Sequence, residues 1–510
     1  MRVTSLLARA ESIHADRDAV VVVGGERLSY RELGLRVRSV AAGLSRRGVG
    51  RGDRVAVIGD AGIAYFDVYL AAAWLGAAAV PIPTRLAAAE VATILADAGP
   101  AVVIAAPDHV AALPPGVEAI VVGSPAHEEL IAGPPTTTPS PARDEDIALI
   151  VYTSGTTGLP KGVCLSQHAL AINALTIGIS QQLRPDDVFL TMTPLYHAAA
   201  GNRVYTMLLD GQTHVVLPRF DVEAAIAAIE EHAVTTTLAV PTQLHRLLAA
   251  PDVAARTKTL RLLVYGAGPS GQKLVAAARE TLDCGLYQGY GLTEACTGVT
   301  ALVPADHDRA VREPALFASC GRVLPGMEVT VCGEDGAPLP VGEVGEIRVR
   351  GDKLMSGYWR LPEDSAATLR DGELLTGDLG RLDAEGYLYV VDRLKDMLIS
   401  GGVNVYPSEI ERVLVAYEGV DAAAVVPRSD AEWGELPVAF VEAPPQLDLE
   451  GLRRHCEQHL ARFKLPREIT RVERLPRTPT GKLQRRELRQ RASASACGSA
   501  DPQNEEGSAG

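Results

Sequence analysis

The sequence predicts an α/β protein: a large N-terminal domain of parallel α/β subdomains plus a β-rich subdomain, followed by a small α+β C-terminal domain. In the first half, short runs of Val, Ile and Leu alternate with helical patterns, as in a mostly parallel sheet with crossover helices. From about residue 327 to 392, closely spaced alternating segments with Gly and Asp turns indicate antiparallel strands. Helix and strand signals then resume and continue to about residue 467.

The first half carries the parallel pattern. Short apolar runs rich in β-branched residues predict buried strands, at residues 20–23, 54–58, 101–105, 147–152 and 260–265. Helices are predicted at residues 30–46, 221–232 and 272–282, with lengths that suit crossover connections. The Pro- and Thr-rich stretch 133–141 is predicted to be a surface connector between subdomains.

The second half is predicted to change architecture twice. The segments MEVTVC, GEIRVRG and GYLYVVDR predict the β-rich subdomain. Beyond it, Ser408 and Glu411 have the spacing of a capping box, which predicts a helix start in the small domain. The predicted organisation is therefore an N-terminal domain at 1–392, a short connection at 393–396, a small C-terminal domain at 397–491 and a disordered tail at 492–510.

Composition excludes several classes of protein. A length of 510 residues predicts two to four domains, and the net charge of -14 disfavours nucleic acid as a partner. Seven cysteines without a C-x-x-C pair suggest neither a disulfide framework nor a zinc site, which favours a cytoplasmic location. The longest apolar stretch, residues 68–83, is too short for a membrane span and contains Gly76 and Pro81. The Leu6-Leu7 run is too short for a signal peptide.

A loop rich in glycine, serine and threonine follows the strand predicted at 147–152. Its sequence, TSGTTGLPKG at residues 153–162, contains four hydroxyl groups, three glycines and Lys161. Glycines let backbone N–H groups converge on an anion, and hydroxyls and a lysine add donors and charge. The loop is not a P-loop, because Pro160 precedes the lysine and Gly162 follows it. It predicts a phosphate-binding site.

The segment YTSGTTGLPKGV at 152–163 resembles the phosphate-binding signature of the adenylate-forming superfamily, which contains acyl-CoA synthetases, peptide-synthetase adenylation domains and luciferases. The resemblance covers nearly the whole chain and is closest to free-standing acyl- or aryl-CoA ligases. It includes LGAAAVPIP at 75–83, PLYH at 194–197, QGYGLTEA at 288–295, the long segment 377–411 and PTGKL at 479–483.

A second glycine pattern leaves an alternative open. Gly266-Ala-Gly-Pro-Ser-Gly271 follows a predicted strand and matches G-x-G-x-x-G, the fingerprint of an NAD-binding oxidoreductase. However, no acidic residue occurs at 286–292 to hold a ribose, and Pro269 removes a backbone donor. The resemblance implies instead that Gly266 and Ala267 line the acyl pocket and that Gly268 lies at the edge of the adenine site.

The resemblance implies two half-reactions that need ATP, Mg²⁺ and coenzyme A. A carboxylate attacks the α-phosphate of ATP to give acyl-AMP and pyrophosphate, and a thiol then displaces AMP. Glu294 would bind Mg²⁺, Thr293 would donate to the α-phosphate and Tyr290 would stack on adenine. The β- and γ-phosphates would be held by Thr153, Ser154, Gly155, Thr156, Thr157, Gly158 and Lys161.

The resemblance also implies that residues 393–396 are a hinge and that residues 397–491 form a mobile cap domain, and it assigns roles on both sides of the hinge. Asp378 and Arg393 would hold the ribose, Lys482 would be the catalytic lysine and Lys395 the hinge residue. Gly401 and Gly402 would leave room for the pantetheine arm. Without the resemblance, Asp378 predicts only a β-turn and Arg393 only a surface ion pair. Lys395 and Lys482 then predict only solvated charges.

The residues also restrict the acid and the thiol. Adenylation domains for α-amino acids place an Asp where this chain has His197, so the resemblance favours a carboxylic acid without an α-amino group. Gly289 and Gly291 complete the implied pocket. The small residues at 198–201 and 266–268 leave space there and predict a fairly bulky apolar acid. Coenzyme A is favoured as the thiol, with a carrier-protein pantetheine as the alternative. A non-catalytic nucleotide-binding protein would lack Lys482 or Glu294, and both are present.

Overall fold

The computed structural model describes residues 1–138, 140–154, 160–266, 272–400, 403–430, 433–477 and 483–497. The chain divides into two compact units. The first unit comprises Met1–Thr330, Arg348–Thr376 and Leu382–Tyr389. The second unit comprises Val331–Ile347, Gly377–Arg381 and Val390–Gly510.

The strands of the described residues are numbered β1 to β26 in chain order. They are Asp18–Val22, Arg27–Ser29, Arg54–Ile58, Ala78–Ile82, Val102–Ala105, Ala119–Val121, Ile147–Ser154, Pro160–Ser166, Val188–Thr191, Thr213–Val216, Thr236–Ala239, Leu262–Gly266, Gly285–Leu292, Thr297–Leu302, Arg322–Val323, Met327–Cys332, Gly345–Gly351, Gly357–Tyr358, Leu369–Arg370, Glu373–Leu382, Leu388–Arg393, Leu398–Ser400, Val403–Val405, Ala422–Asp430, Gly434–Glu442 and Glu468–Val472.

The α-helices are numbered α1 to α17 in the same way. They are Val3–His14, Tyr30–Arg46, Ile63–Leu75, Ala88–Ala98, Pro125–Ala132, Gln167–Ser180, Ala198–Gly201, Arg203–Thr206, Val222–Glu231, Pro241–Leu248, Val253–Arg256, Gln272–Thr281, Pro304–Ala310, Pro362–Thr368, Pro407–Ala416, Leu449–His459 and Arg485–Cys497. None of these helices combines the length and the apolar character that crossing a membrane requires.

The first unit contains two large sheets. The nine-stranded sheet has the order β15-β14-β13-β12-β11-β9-β10-β1-β2, and its strands from β13 to β1 pair in parallel. The seven-stranded sheet has the order β18-β8-β7-β4-β3-β5-β6, with parallel pairing from β7 to β6. Apolar residues of α9, α10 and α12 pack on the first sheet, and those of α4 pack on the second. The predicted parallel α/β architecture is confirmed.

Local sequence signals explain several helix and strand ends. Helix α2 has the predicted bounds, and its N-cap Ser29 forms a capping box with Glu32, which satisfies exposed backbone N–H groups. Helix α3 is buried on nearly all faces and ends at Gly76, whose φ is 73°. The chain then enters strand β4, so that the long apolar stretch is a core helix followed by a strand.

Antiparallel structure is found where the sequence predicts it. Strands β16, β17, β20 and β19 form a sheet in that order, and β21 pairs with β20. The second unit has another sheet, ordered β23-β22-β25-β24 with β26 beside β25. Apolar residues of α15 and α16 cover one side of its strands. The small domain is therefore α+β, as predicted.

The predicted capping box at Ser408 is wrong. Helix α15 begins at Pro407 after Tyr406, which makes no side-chain cap. The backbone N–H of Ser408 donates to Asp392 Oδ2 at 2.9 Å, and its hydroxyl donates to the carbonyl of Val391. Glu411 accepts instead from the backbone N–H of Val425. Tertiary partners therefore replace the local cap.

The chain also differs from the prediction near its end and at the domain limit. Helix α17 continues to Cys497, so that the first residues of the predicted tail are helical. Of these residues, Ala492 is buried and packs on the second unit's sheet. Residues 377–381 belong to the second unit, whereas the predicted boundary lay at 393–396. The backbone N–H of Leu394 donates to the carbonyl of Gly377 at 2.9 Å, which ties these segments together.

Candidate active site

Strands β7 and β8 present the first candidate residues. They pair antiparallel, with Thr153 directly opposite Lys161. The side chain of Lys161 is 16% exposed and its Nζ forms an ion pair with Asp364 Oδ1 at 3.0 Å. The same Nζ lies over the ring of Tyr358, 5.2 Å from its centroid, a distance at which a cation is attracted to the π face. Lys161 is thus fixed where the strand pair enters the glycine-rich loop.

The second group of candidate residues lies after strand β13. Thr293 and Glu294 are in a short 3₁₀ turn, Thr293–Ala295, between β13 and β14. Tyr358 donates its hydroxyl to Glu294 Oε1 at 3.0 Å, and the backbone N–H of Met355 donates to the carbonyl of Glu294 at 2.7 Å. Within the described part of the chain, Oε2 receives no hydrogen bond. One carboxylate oxygen is held, and the other is available to a ligand.

Tyr358 brings Lys161 and Glu294 together. Its ring lies under the lysine and its hydroxyl binds the carboxylate. Burial, followed by the charge of Glu294 and the hydrogen bond to it, raises the pKa of Tyr358, so that the phenol stays protonated and donates at neutral pH. Sequence reasoning missed both Tyr358 and Asp364. The Gly357-Tyr358 pair is visible in the sequence. Its pairing with β8 is not, because the two strands lie far apart along the chain.

Two glycines of the implied pocket occupy positions where a side chain does not fit. Gly266 has φ of 155°, and a Cβ added there would lie 2.6 Å from the carbonyl oxygen of Gly289, its neighbour on β13. A Cβ at Gly291 would overlap the carbonyl oxygen of Thr297. Both glycines therefore let backbone segments approach closely at the carboxyl ends of parallel strands, where α/β folds bind ligands.

His197 and Tyr290 lie on elements of the first unit beside these strands. His197 immediately precedes the short helix α7 and makes no side-chain cap. It is half-buried, and its ring centroid is 4.6 Å from that of Tyr196. Tyr290 is half-buried on β13, opposite Thr300 of β14. These positions are compatible with the predicted pocket and nucleotide roles, which stay predictions.

The second unit holds Asp378 and Arg393 as an ion pair. Arg393 Nε lies 2.5 Å from Asp378 Oδ1, and the side chains are 49% and 4% exposed. A buried carboxylate is thereby paired with a guanidinium that reaches solvent. Such a carboxylate can accept hydrogen bonds from vicinal hydroxyls.

The predicted hinge is part of a turn held by the last helix. The backbone N–H of Asp396 donates to the carbonyl of Arg393 at 2.9 Å. Arg489 of α17 donates to the carbonyl of Lys395 at 3.1 Å and to Asp396 Oδ1 at 2.7 Å. The side chain of Lys395 is exposed.

Several predicted site residues lie outside the described residues, and for Ser154 this applies to the side chain. They are Ser154, Gly155, Thr156, Thr157, Gly158, Ala267, Gly268, Gly401, Gly402 and Lys482.

The residues present fit a magnesium ion that is shared with a nucleotide. No three His, Cys, Asp or Glu side chains of the described residues cluster as an all-protein metal site requires. Mg²⁺ is commonly held by one or two carboxylates together with substrate phosphates. The available oxygen of Glu294 and the lysine across Tyr358 match that arrangement.

Comparisons with known proteins agree with this geometry. The chain matches the family described as AMP-binding enzyme over residues 7–359 and the AMP-binding enzyme C-terminal domain over residues 409–482. A feruloyl-CoA synthase of an Amycolatopsis species is 40% identical over 478 residues, covering 92% of this chain and 94% of that protein. A fatty acid–[acyl-carrier-protein] ligase of Streptomyces coeruleorubidus is 35% identical, covering 95% and 96%.

A solved structure extends the agreement to the fold. ATP-bound MatB from Rhodopseudomonas palustris superposes with a TM-score of 0.87 at 32% identity, covering 96% of this chain and 99% of that one. Both the sequence matches and this superposition span nearly the whole chain. The chain therefore belongs to the adenylate-forming family of AMP-binding enzymes.

Proposed function

We propose that this chain activates a bulky, largely apolar carboxylic acid without an α-amino group and transfers it to coenzyme A. The reaction is that of an AMP-forming acid:CoA ligase, which uses ATP, Mg²⁺ and CoA. One observation carries the assignment to this site: Tyr358 joins a cation, Lys161, to a carboxylate, Glu294, beside the glycine-rich loop. A cation and a metal-binding carboxylate are what a triphosphate requires.

In the first half-reaction, a carboxylate oxygen attacks the α-phosphorus and the bond to pyrophosphate breaks. Both reactants are anions, so that catalysis depends on cations and donors placed where negative charge accumulates. Thr153 and Lys161 hold the departing β- and γ-phosphates, and Thr293 donates to the α-phosphate. Glu294 would hold Mg²⁺, which would supply positive charge to the phosphate oxygens. Lys482 stabilises the attacking carboxylate and the α-phosphate.

Asp378 is proposed to bind the ribose. Its carboxylate is almost fully buried but paired with the half-exposed Arg393, so that a nucleotide can share the charged pair without burying a new charge. Hydroxyl groups of the ribose donate to Asp378, and Arg393 stays at its edge. The adenine stacks on Tyr290.

In the second half-reaction, the CoA sulfur attacks the acyl carbonyl carbon and AMP leaves with the bonding electrons. We propose that the backbone torsions of Lys395 change between the two steps, so that Lys482 is withdrawn and Gly401 and Gly402 admit the pantetheine arm. The thiol proton is lost to solvent, because the activated acyl group needs no base beyond correct placement.

His197 and the nearby small residues support the proposed acid. His197 stands where an α-amino acid enzyme would have an aspartate, and no carboxylate takes its place in the adjacent 198–201 segment. The relatives include an enzyme named for feruloyl-CoA and one named for fatty acids, and neither name points to an amino acid. A cytoplasmic location stays a prediction from cysteine usage.

A carrier-protein thiol is the second candidate. The similarity to a fatty acid–[acyl-carrier-protein] ligase favours it specifically, because the two chains align over almost their full lengths. Coenzyme A is preferred because several relatives are named as CoA synthases or CoA ligases.

The experiment has two stages. Enzyme, ATP, Mg²⁺ and a panel of straight-chain, aromatic and polycyclic acids are incubated with hydroxylamine, which traps acyl-AMP as a hydroxamate. We expect the largest yields from bulky acids; a strict preference for acetate or for an amino acid would contradict the proposed acid. The best acid is then offered with CoA or with a pantetheinylated carrier protein, and thioester formed only on the carrier would replace CoA in the proposal.

A further inference from the structure

Lys353 is a fully buried lysine of the first unit, in the loop after strand β17. Its relative exposure is 0%. Its Nζ donates to Asn173 Oδ1 at 3.0 Å and to the carbonyl oxygen of Gly298. Both acceptors are uncharged. The Cys296 thiol also acts on the ammonium, but burial raises the pKa of that thiol to about 12 and keeps it neutral. Among the described residues, the ammonium group of Lys353 therefore lies in the protein interior without a charged partner.

Burying an ammonium group without a charged partner costs folding free energy. Burial removes the water that solvates the charge, and it lowers the pKa of Lys353 to about 8. At neutral pH the group is still mainly protonated. A methionine would fill a similar space without a buried charge, so that the ammonium must supply something that an apolar side chain cannot.

The carbonyl group that Lys353 holds belongs to a strained turn. Cys296 and Thr297 have φ values of 52° and 91°, and a positive φ is rare for a β-branched residue. Asn202 is also buried, and its Nδ2 donates to the carbonyl of Cys296 at 3.2 Å. Two buried donors thus fix the carbonyl groups on either side of Thr297. Strained backbone persists only where surrounding contacts hold it.

Glu294 immediately precedes this turn, and the chain segment that carries Lys353 also holds Glu294. The backbone N–H of Met355 donates to the carbonyl of Glu294 at 2.7 Å, and Tyr358 donates to its carboxylate at 3.0 Å. Lys353 adds the third contact, to Gly298 on the far side of the turn. Residues 353–358 therefore contact the Glu294 carboxylate, the Glu294 carbonyl and the carbonyl of Gly298, at the end of the turn.

We propose that Lys353 is a positioning residue for the metal carboxylate: its buried ammonium, together with Asn202, holds the Cys296–Gly298 backbone so that Glu294 keeps the orientation in which it binds Mg²⁺–ATP. This inference rests on the role proposed for Glu294. Residues that orient a metal ligand without touching the metal typically change its affinity by about 10- to 100-fold.

The test compares Lys353→Met, which removes the ammonium, with Lys353→Gln, which keeps a donor for Gly298. Half-saturating Mg²⁺ is measured for adenylate formation at fixed ATP, and Mg²⁺–ATP binding is measured by calorimetry without the acid. We expect both constants to rise about tenfold in the methionine variant and about threefold in the glutamine variant. The KM for the acid should stay within twofold of wild type, because none of the residues proposed to line the acid pocket belongs to the turn.

Lys464→Met is the matched control, since it removes a lysine that pairs with Glu409 in the second unit. It should leave both magnesium constants unchanged. If the Lys353→Met protein does not fold, the glutamine variant decides. Magnesium constants equal to wild type in a folded Lys353 variant, or a KM for the acid that rises as much as they do, would overturn the inference.

Glu294→Gln separates this inference from the function on which it rests. If Glu294→Gln weakens Mg²⁺–ATP binding and Lys353→Met does not, the positioning role alone fails. If Glu294→Gln leaves Mg²⁺–ATP binding unchanged, the metal role of Glu294 fails, and the inference about Lys353 fails with it.

Discussion

The two units hold their candidate carboxylates in different ways. In the first unit, Glu294 is held by a neutral phenol and a backbone amide, and the turn after it by buried donors. In the second unit, the buried carboxylate of Asp378 is held by Arg393, whose side chain reaches solvent. Buried hydrogen bonds fix an orientation, whereas an ion pair with a solvent-exposed partner is weaker and more easily exchanged. The first arrangement suits a fixed phosphate site, and the second suits a unit that changes partners.

The strongest test of this comparison is Lys482→Ala in the second unit. We expect adenylate formation, followed as pyrophosphate release, to fall about 100- to 1,000-fold, because a preorganised charge at the transition state is lost. Thioester formation from supplied acyl-AMP and CoA should stay within a few fold of wild type. Equal losses in both steps would contradict the proposal that the second unit changes position between them.

The next largest effect is expected on stability, when the charge of Lys353 is removed. Its folded-state pKa of about 8 lies below the ordinary value of 10.5, so that between these values the unfolded chain binds more protons and stability rises with pH. From pH 7.5 to 9.5, the unfolding free energy of the wild type should increase by about 2 kcal/mol relative to Lys353→Met. Urea denaturation of both full-length chains at the two pH values measures this difference. A constant difference would show that the ammonium is not buried in solution.

Tyr358→Phe tests the hydrogen bond that holds Glu294 in the first unit. The variant keeps the ring beneath Lys161 and loses the hydroxyl that binds Glu294. We expect about a fivefold decrease in adenylate formation at limiting Mg²⁺, the effect of roughly 1 kcal/mol for one hydrogen bond. Tyr387→Phe is matched, because Tyr387 donates to Asp306 at 2.7 Å. Similar losses in both variants would mean that the effect is general and not specific to Glu294.

The smallest effect is expected from Arg489→Gln in the second unit. Its pairing with Asp396 joins a side chain that is 36% exposed to one that is 11% exposed, and such pairs contribute about 0.5 kcal/mol. The loss in unfolding free energy should shrink further in 1 M salt, where the screening length is about 3 Å. Arg491→Gln, which disrupts a more exposed pair with Glu487, is the control. A salt-independent loss above about 2 kcal/mol would place this pair with the rigid contacts of the first unit.

Much of the fold could be predicted from local signals. The bounds of α2 follow from Ser29 and Glu32, and the predicted parallel strands lie within two residues of those observed. Ser408 shows the limit of such reasoning, because Asp392 and Val391 bind its amide and hydroxyl in place of the helix. A local pattern cannot reveal a competing partner that arrives from a different strand.

The candidate site was only partly predictable for the same reason. Lys161 and Glu294 belong to motifs that are visible in the sequence, but their shared partner Tyr358 is brought to them by the pairing of β18 with β8, nearly 200 residues apart. No sequence motif pointed to Lys353. Its importance depends on burial among Asn173 and Gly298, which only tertiary structure creates.

The tight connection between β13 and β14 has a consequence for engineering. Strand β13 pairs in parallel with β12 on one side and antiparallel with β14 on the other. The turn that carries Glu294 joins β13 to β14, and in both strands successive side chains point to opposite faces of the sheet. One added residue would send the side chains of β14 to the opposite face of the sheet. Length variation at this turn is therefore a poor route to altered selectivity, and designed libraries should vary side chains there while keeping the residue count.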